Sequence, residues 1–261
     1  MITLFQQREP LEMKRALLIF KIAFIACFLS TSAMAADIHK AARKGDLEDV
    51  RALIAAGADL SELDKAVGTA LHWAAARGHV EVARALIEAG ADPSQESHGP
   101  DLLTPLHLAS TGGHVLVVQL LVEAGADLAA GEGNIGTPLH SAAQADKAKV
   151  IDYLLSAGAD PEAKATDSIY AVLPLQFAAA AGASNAISAL LSGGASINAE
   201  NGSSGVTALH LAVFNAHPEA AMVLLEAGAD PYAVSTNIET PAALAKYNPD
   251  MEALFASAGI E

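Results

Sequence analysis

Thr104-Pro105-Leu106-His107-Leu108-Ala109 opens a stretch that closes on Gly125-Ala126-Asp127, and the reading of this stretch decides the fold. The threonine suits a helix cap, and the proline sits in the first helical turn, where its missing N–H costs nothing. Leu106 and Ala109 then fall three apart on one face. Gly112-Gly113-His114 breaks that helix. A second helix is predicted over Val115 to Ala124, with Val118, Leu121 and Val122 on its inner stripe, and it stops at Gly125, a residue free to take positive φ. A helix pair this thin cannot bury both faces alone, so its stability must come from stacking on neighbours.

The neighbours are visible as repetition. The closing string recurs as Gly57-Ala58-Asp59, Gly90-Ala91-Asp92, Gly158-Ala159-Asp160, Gly194-Ala195-Ser196 and Gly228-Ala229-Asp230. The opening string recurs as Thr69-Ala70-Leu71-His72, Thr137-Pro138-Leu139-His140, Leu173-Pro174-Leu175-Gln176, Thr207-Ala208-Leu209-His210 and a worn Thr240-Pro241-Ala242-Ala243. Successive opening strings lie 35, 33, 36, 34 and 33 residues apart. A period of that length marks a solenoid.

These strings resemble the ankyrin repeat family over nearly all of residues 37–261. The resemblance implies an all-α repeat solenoid of helix pairs joined by β-hairpin or turn fingers. The expected units are an N-terminal capping repeat and hairpin over 36–67, repeats over 68–102, 103–135, 136–171, 172–205 and 206–238, and a C-terminal cap over 239–261. The first unit lacks the opening string and carries Lys40, Arg43 and Lys44 in its first helix, as suits a face turned to water. The last is shortened at Tyr247-Asn248-Pro249-Asp250. Composition agrees: 52% of residues are hydrophobic but only 5% aromatic, so the apolar content is largely aliphatic and small, which favours thin helix-on-helix packing.

Residues 1–35 are set apart from the fold. Lys14 and Arg15 precede an apolar run interrupted by Lys21 and ending at Leu29, followed by Ser30-Thr31-Ser32-Ala33-Met34-Ala35. This order is that of a secretory signal with cleavage after Ala35, read from Met1 or from Met13 as the start. Two alternatives are an N-terminal membrane anchor, for which Ile22 to Leu29 is far short of the about 20 residues a span needs, and lipidation at Cys27, for which Phe24 is a poor fit. Cys27 is the only cysteine, so a chain beginning at Ala36 has no thiol, as suits an oxidising periplasm or the cell exterior. The expected localisation is periplasmic or secreted, with no membrane contact after cleavage.

The formal charge is −15 over the whole chain and is unevenly placed. Residues 36–84 hold seven basic and eight acidic groups, whereas residues 85–261 hold four basic and twenty acidic. Such a field repels nucleic acid and attracts cationic partners. The simpler reading is that acidity keeps the protein soluble.

Length variation locates the surface. From the first residue of each opening string to the glycine that ends the pair is always 21 residues, whereas the connection from the closing Asp (or Ser196) to the next string varies through 10, 12, 10, 13, 11 and 10. Variation confined to one kind of loop marks one edge of the array as the binding edge. The longest fingers are Pro93–Leu103, containing His98-Gly99-Pro100-Asp101, and Pro161–Val172, containing Asp167-Ser168-Ile169-Tyr170. In the family, contacts come from the finger tips and from two positions near the end of each first helix. Carried over, the helix positions are Ala76 and Arg77, Thr111 and Gly112, Gln144 and Ala145, Ala180 and Ala181, Phe214 and Asn215. The candidate partner-binding residues are therefore Arg77, Thr111, Gln144, Phe214 and Asn215 on helices, and Lys65, His98, Asp101, Asn134, Ser168, Tyr170 and Asn237 on fingers. Phe214 and Tyr170 stand first, because aromatic anchors dominate interface energetics. Each has a bland alternative: Phe214 packed against the next hairpin, Tyr170 folded under its own loop. Trp73 stands where Leu108 and Leu211 do and reads as partly buried structure.

No catalytic, cofactor or metal site is expected. His72, His107, His140 and His210 share one motif slot, which in the family hydrogen-bonds within and between repeats; His79, His114 and His217 sit at turns. Only His39 and His98 escape that logic, and the histidine spacings are not compact metal-ligand spacings. No phosphate loop, serine elbow or His-Glu-x-x-His is present. Asn201-Gly202-Ser203 matches a glycosylation sequon but reads as a flexible hairpin. The expected function is a non-enzymatic, monomeric protein-binding scaffold acting outside the cytoplasm, with a cationic protein as partner. Two alternatives are an inhibitor or immunity protein against a toxin or hydrolase, and an exported host-directed effector.

Overall fold

A computed structural model describes residues 37–98, 102–131, 136–167, 170–202 and 204–260. Its helices fall in pairs: α1 (37–44) with α2 (Leu47–Ala55), α3 (Ala70–Arg77) with α4 (Val80–Glu88), α5 (Pro105–Gly112) with α6 (Val115–Glu123), and α7 (Pro138–Gln144) with α8 (Ala148–Ser156). After a hairpin of β1 (Ala165–Asp167) and β2 (Tyr170–Val172) come α9 (Pro174–Ala181) with α10 (Ser184–Ser192), α11 (Ala208–Phe214) with α12 (Pro218–Glu226), and α13 (Pro241–Ala245) with α14 (Pro249–Ser257).

Each opening string starts the first helix of a pair. Thr69, Thr104, Thr137 and Thr207 are extended N-caps, and Pro105, Pro138 and Pro174 occupy the first turn. Helix α5 ends on Gly113 at φ 73°, a left-handed conformation that suits glycine. The same turn is made by Asp146 at φ 56° and Ala216 at φ 57°, so two units tolerate strain where their neighbours have glycine.

Two layers result. First helices stack in the order α3, α5, α7, α9, α11, α13, and second helices in the order α2, α4, α6, α8, α10, α12, α14. Leu71, Leu106, Leu139, Leu175 and Leu209 form one buried row, and Leu86, Leu121, Leu154, Leu190 and Leu224 a second. Alanines at 74, 109, 142, 178 and 212, all fully buried, let the layers approach closely. The ends close differently: Ile38 and Val50 are buried under the N-terminal pair, Met251 and Phe255 under the C-terminal one. Lys40, Arg43 and Lys44 face water as expected.

The β-hairpin lies in the finger at 161–172. It pairs Ala165 with Val172, Thr166 with Ala171 and Asp167 with Tyr170, antiparallel. The turn at Asn201, the first residue of the sequon, is tied to the residues that follow, with Ser203 outside the described residues. The Asn201 side chain is buried and accepts from the Ser204 hydroxyl, and its N–H donates to Val206 O at 3.0 Å, so an acceptor for glycosylation is folded inward.

Candidate protein-interaction face

The fingers are positioned by the motif histidines. The backbone N–H groups of Thr69, Thr104 and Thr137 donate to Nδ1 of His72, His107 and His140 at 3.1, 3.1 and 2.9 Å. A backbone N–H can only donate, so Nδ1 is the acceptor and the proton resides on Nε2. That Nε2 donates to a carbonyl in the next unit: His72 to Leu103 at 3.0 Å, His107 to Gly136 at 3.0 Å and His140 to Val172 at 3.1 Å. Each accepting carbonyl belongs to the residue just before the next opening string, so one ring ties a helix start to the base of the following finger. Burial drives these rings toward neutrality; His72 and His140 are pushed down to about 4 despite the opposing pull of the carbonyls, and His107 and His210 are also lowered.

Gln176 shows which features of the ring matter. Its Oε1 accepts from Leu173 N–H at 3.0 Å, and its Nε2 donates to Ala199 O at 3.2 Å and Val206 O at 3.0 Å. A neutral donor-acceptor pair at this spacing suffices. At the worn end of the array, His210 Nε2 makes no bond to Glu239, the residue before Thr240, and the finger leading there carries a bond from Thr236 N–H to Ser204 O at 2.9 Å.

A second set of rings points backwards. His79, His114 and His217 donate from Nε2 toward Arg43 O, Ala76 O and Ala180 O at 3.3, 3.3 and 3.1 Å. His39, expected to stand outside the repeat pattern, is buried and bonds Glu62 O at 2.9 Å, which ties α1 to the first finger. That finger is pinned further. Asp64 accepts from the N–H groups of Ala66, Val67 and Gly68 at 3.0, 2.7 and 2.9 Å, and from the Trp73 indole at 2.7 Å. Burial alone would raise its pKa, but those four donors together hold it down at about 2. Trp73 is half-buried, as expected, with the Arg43 guanidinium 5.4 Å from its ring centroid.

The face built on this framework runs over the first helices and the fingers. Between α7, α9 and α11 and the fingers that follow lies a groove of about 570 Å³. Its walls are mainly apolar, from Val172, Phe177, Leu211, Phe214 and Ile238, with Gln144 and Asn237 among its polar groups. The Phe177 ring, which lines the groove, meets the buried His140 ring edge to face at 5.1 Å, so the groove abuts the histidine framework. Phe214 is 66% exposed, so its ring is not packed away against the next hairpin.

The groove thus unites three of the candidate residues, Gln144, Phe214 and Asn237. Asn215 is exposed beside them but donates its amide to Leu211 O at 3.0 Å. Thr111 is exposed with its hydroxyl donated to His107 O at 3.0 Å. Lys65, Arg77 and His98 are exposed in earlier units and do not line the groove. Tyr170 lies in β2, its backbone opposite Asp167. Asp101, Asn134 and Ser168 fall outside the described residues, as does the segment 1–35 with its signal features.

Sequence reasoning missed Phe177, Leu211, Ile238 and above all Tyr247. Phe214 follows Thr207 by seven residues, and Tyr247 follows Thr240 by the same seven. That offset, carried into the worn last unit, was the available signal. Tyr247 is 76% exposed and donates its hydroxyl to Glu239 Oε1 at 3.4 Å; this bond and the carboxylate's charge raise the phenol's pKa.

The repeated helix pairs and their histidine links match the family model for ankyrin repeats (3 copies) over residues 38–131, 96–165 and 166–235. The chain belongs to the ankyrin repeat family. Among solved structures it is similar to the human ASB11 ankyrin repeat domain, with a TM-score of 0.71 and 25% identity, over 84% of this chain and 96% of that chain. A search of curated proteins finds no significant sequence match. Ankyrin repeats are protein-binding scaffolds. Among the described residues no group of three or more His, Cys, Asp or Glu side chains is placed to hold a metal ion, and no helix is long and apolar enough to cross a membrane.

Proposed function

We propose that this ankyrin repeat protein is a non-enzymatic adaptor that binds a protein partner outside the cytoplasm through the finger-lined face centred on Phe214. The observation that carries the reading is the groove. An exposed aromatic ring stands at the rim of an apolar cleft of about 570 Å³, in the unit slot that repeat packing leaves free. Export rests on the basic, apolar and Ala-x-Ala order of residues 13–35 and on a thiol-free remainder of the chain. The acidic excess after residue 84 disfavours nucleic acid and favours a cationic protein, and an inhibitor or immunity protein is the narrower form of the same reading. The protein acts as a monomer.

The test is affinity purification from the extracytoplasmic fraction with the wild type, Phe214→Ala and Leu116→Ala. Leu116 is 63% exposed but lies on α6, in the other layer. The expected result is a partner whose recovery falls about tenfold with Phe214→Ala, as a hot-spot aromatic implies, and is unchanged with Leu116→Ala. Equal recovery from all three proteins would remove the face assignment. Recovery of the chain only from the cytoplasm would remove the export reading.

A further inference from the structure

We infer that the groove takes an extended segment of another protein carrying a large apolar side chain beside an arginine, and that the C-terminal cap supplies the arginine's site. The inference rests on the face proposed above and adds the chemistry of what that face holds. Three observations converge on it. The groove itself is apolar at Phe177, Leu211, Phe214 and Ile238, with no charged residue among the described residues lining it, and its volume of about 570 Å³ has room for several side chains. Phe214, the last residue of α11, and Tyr247, in the turn that follows α13, each stand seven residues after the threonine that opens their unit, and α11 and α13 pack against each other. Both rings are largely exposed. Aromatic faces of this kind attract a guanidinium, which stacks flat on a ring while its edge donates hydrogen bonds.

The third observation is the charge at the rim. Glu239 directly follows the groove residue Ile238, and Glu200 directly precedes the groove residue Asn201; both are exposed. The Glu239 carboxylate already accepts from the Tyr247 hydroxyl, which holds it beside the ring, with its other oxygen left to accept from an arginine. The surrounding chain offers little neutralisation, since residues 173–261 contain Lys246 as their only Lys or Arg, against eight Asp and Glu. An occupant with apolar character alone would leave this acidic rim unmatched. An acidic occupant would be repelled by it. A second copy of the chain would bring the same excess of carboxylates to the contact. The complementary occupant is therefore apolar where it enters the groove and cationic where it crosses Tyr247 and Glu239.

The experiment pans a phage-displayed library of random peptides against the purified protein, then measures selected synthetic peptides by fluorescence anisotropy. The expected result is enrichment of peptides with Arg within about three positions of Leu, Ile, Phe or Trp, a reach set by extended-chain spacing. Binding of a selected peptide should weaken about tenfold in Glu200→Gln/Glu239→Gln, and severalfold between about 0.05 and about 0.5 M salt. Tyr247→Leu, which keeps an apolar side chain but removes ring and hydroxyl, should weaken Arg peptides and leave their Arg→norleucine analogues unchanged. Far-ultraviolet circular dichroism checks that each variant folds, as exposed positions should allow. Enriched peptides that bind through Phe214 but carry no cation would overturn this inference and leave the face intact. Enriched peptides indifferent to both Phe214→Ala and the glutamate changes would overturn both. Failure to enrich any peptide, or a concentration-dependent dimer lost on Phe214→Ala, would also overturn the inference, with the partner recovery described above deciding the wider reading.

Discussion

Acid should loosen this array through its buried histidines, and replacing them with glutamine should remove much of that sensitivity. The perturbation is His72→Gln combined with His140→Gln, the residue that already fills this slot as Gln176. Both rings are fully buried and neutral in the folded state, with pKa values pushed down to about 4 from 6.5. At neutral pH neither the folded nor the unfolded state binds the proton, so the histidines cost nothing. As pH falls below 6.5, the unfolded chain takes up protons that the folded one refuses. Unfolding is thereby favoured, and stability falls with pH until the folded rings also titrate near 4. At pH 5 each of the two rings should have cost about 2 kcal/mol relative to pH 7.5, and the limiting loss is about 3 kcal/mol each. The assay is urea unfolding of wild type and double variant at both pH values. Wild type should lose about 4 kcal/mol more than the variant between them, whatever the carboxylates contribute, because they are common to both proteins. Equal losses would refute the neutral-ring account of how the fingers are held.

Three further predictions test other parts of the frame. Ser110 is fully buried with its hydroxyl unpartnered among the described residues, in a slot filled by Ala75, Ala143 and Ala179 in other units, so Ser110→Ala should raise stability by about 1 kcal/mol in urea unfolding; a loss would mean the hydroxyl has a partner. Ala216 holds φ 57° where Gly78, Gly113 and Gly182 serve elsewhere, and Ala216→Gly should raise the Tm by a few degrees, about 1 kcal/mol of strain relieved; a lower Tm would contradict this. Asp64→Ala should cost about 2 kcal/mol and red-shift Trp73 emission, because three backbone donors and the indole lose their acceptor; unchanged emission would separate the finger from the ring.

Much of the frame was legible in the sequence because it depends on local chemistry repeated at one period. A threonine cap, a proline in the first turn and a leucine two residues after the cap specify a helix start and its buried face wherever they occur. Gly125 and its equivalents mark the ends. The link from each histidine to the next unit was expected from the family resemblance, while its direction, forward from the motif histidines and backward from His79, His114 and His217, required coordinates. The burial of Asn201 was likewise not legible, because it depends on the bond between its N–H and Val206 O rather than on the composition of the hairpin.

The sequence by itself determined the period, the helix pairs and the fingers, because each follows from contacts within one unit or between identical neighbours, whereas the helix slot for partner contact was implied by the family resemblance. That slot singled out Phe214 as an aromatic anchor, with packing against the next hairpin as the alternative. Only the tertiary structure decided that Phe214, Gln144 and Asn237 share one groove with Phe177, Leu211 and Ile238, and that Tyr247 bonds Glu239, the residue after Ile238. Those residues lie up to 103 positions apart, from Gln144 to Tyr247, and come from different units. Their meeting depends on the stacking of helices and the set of each finger, neither of which any single unit's sequence contains.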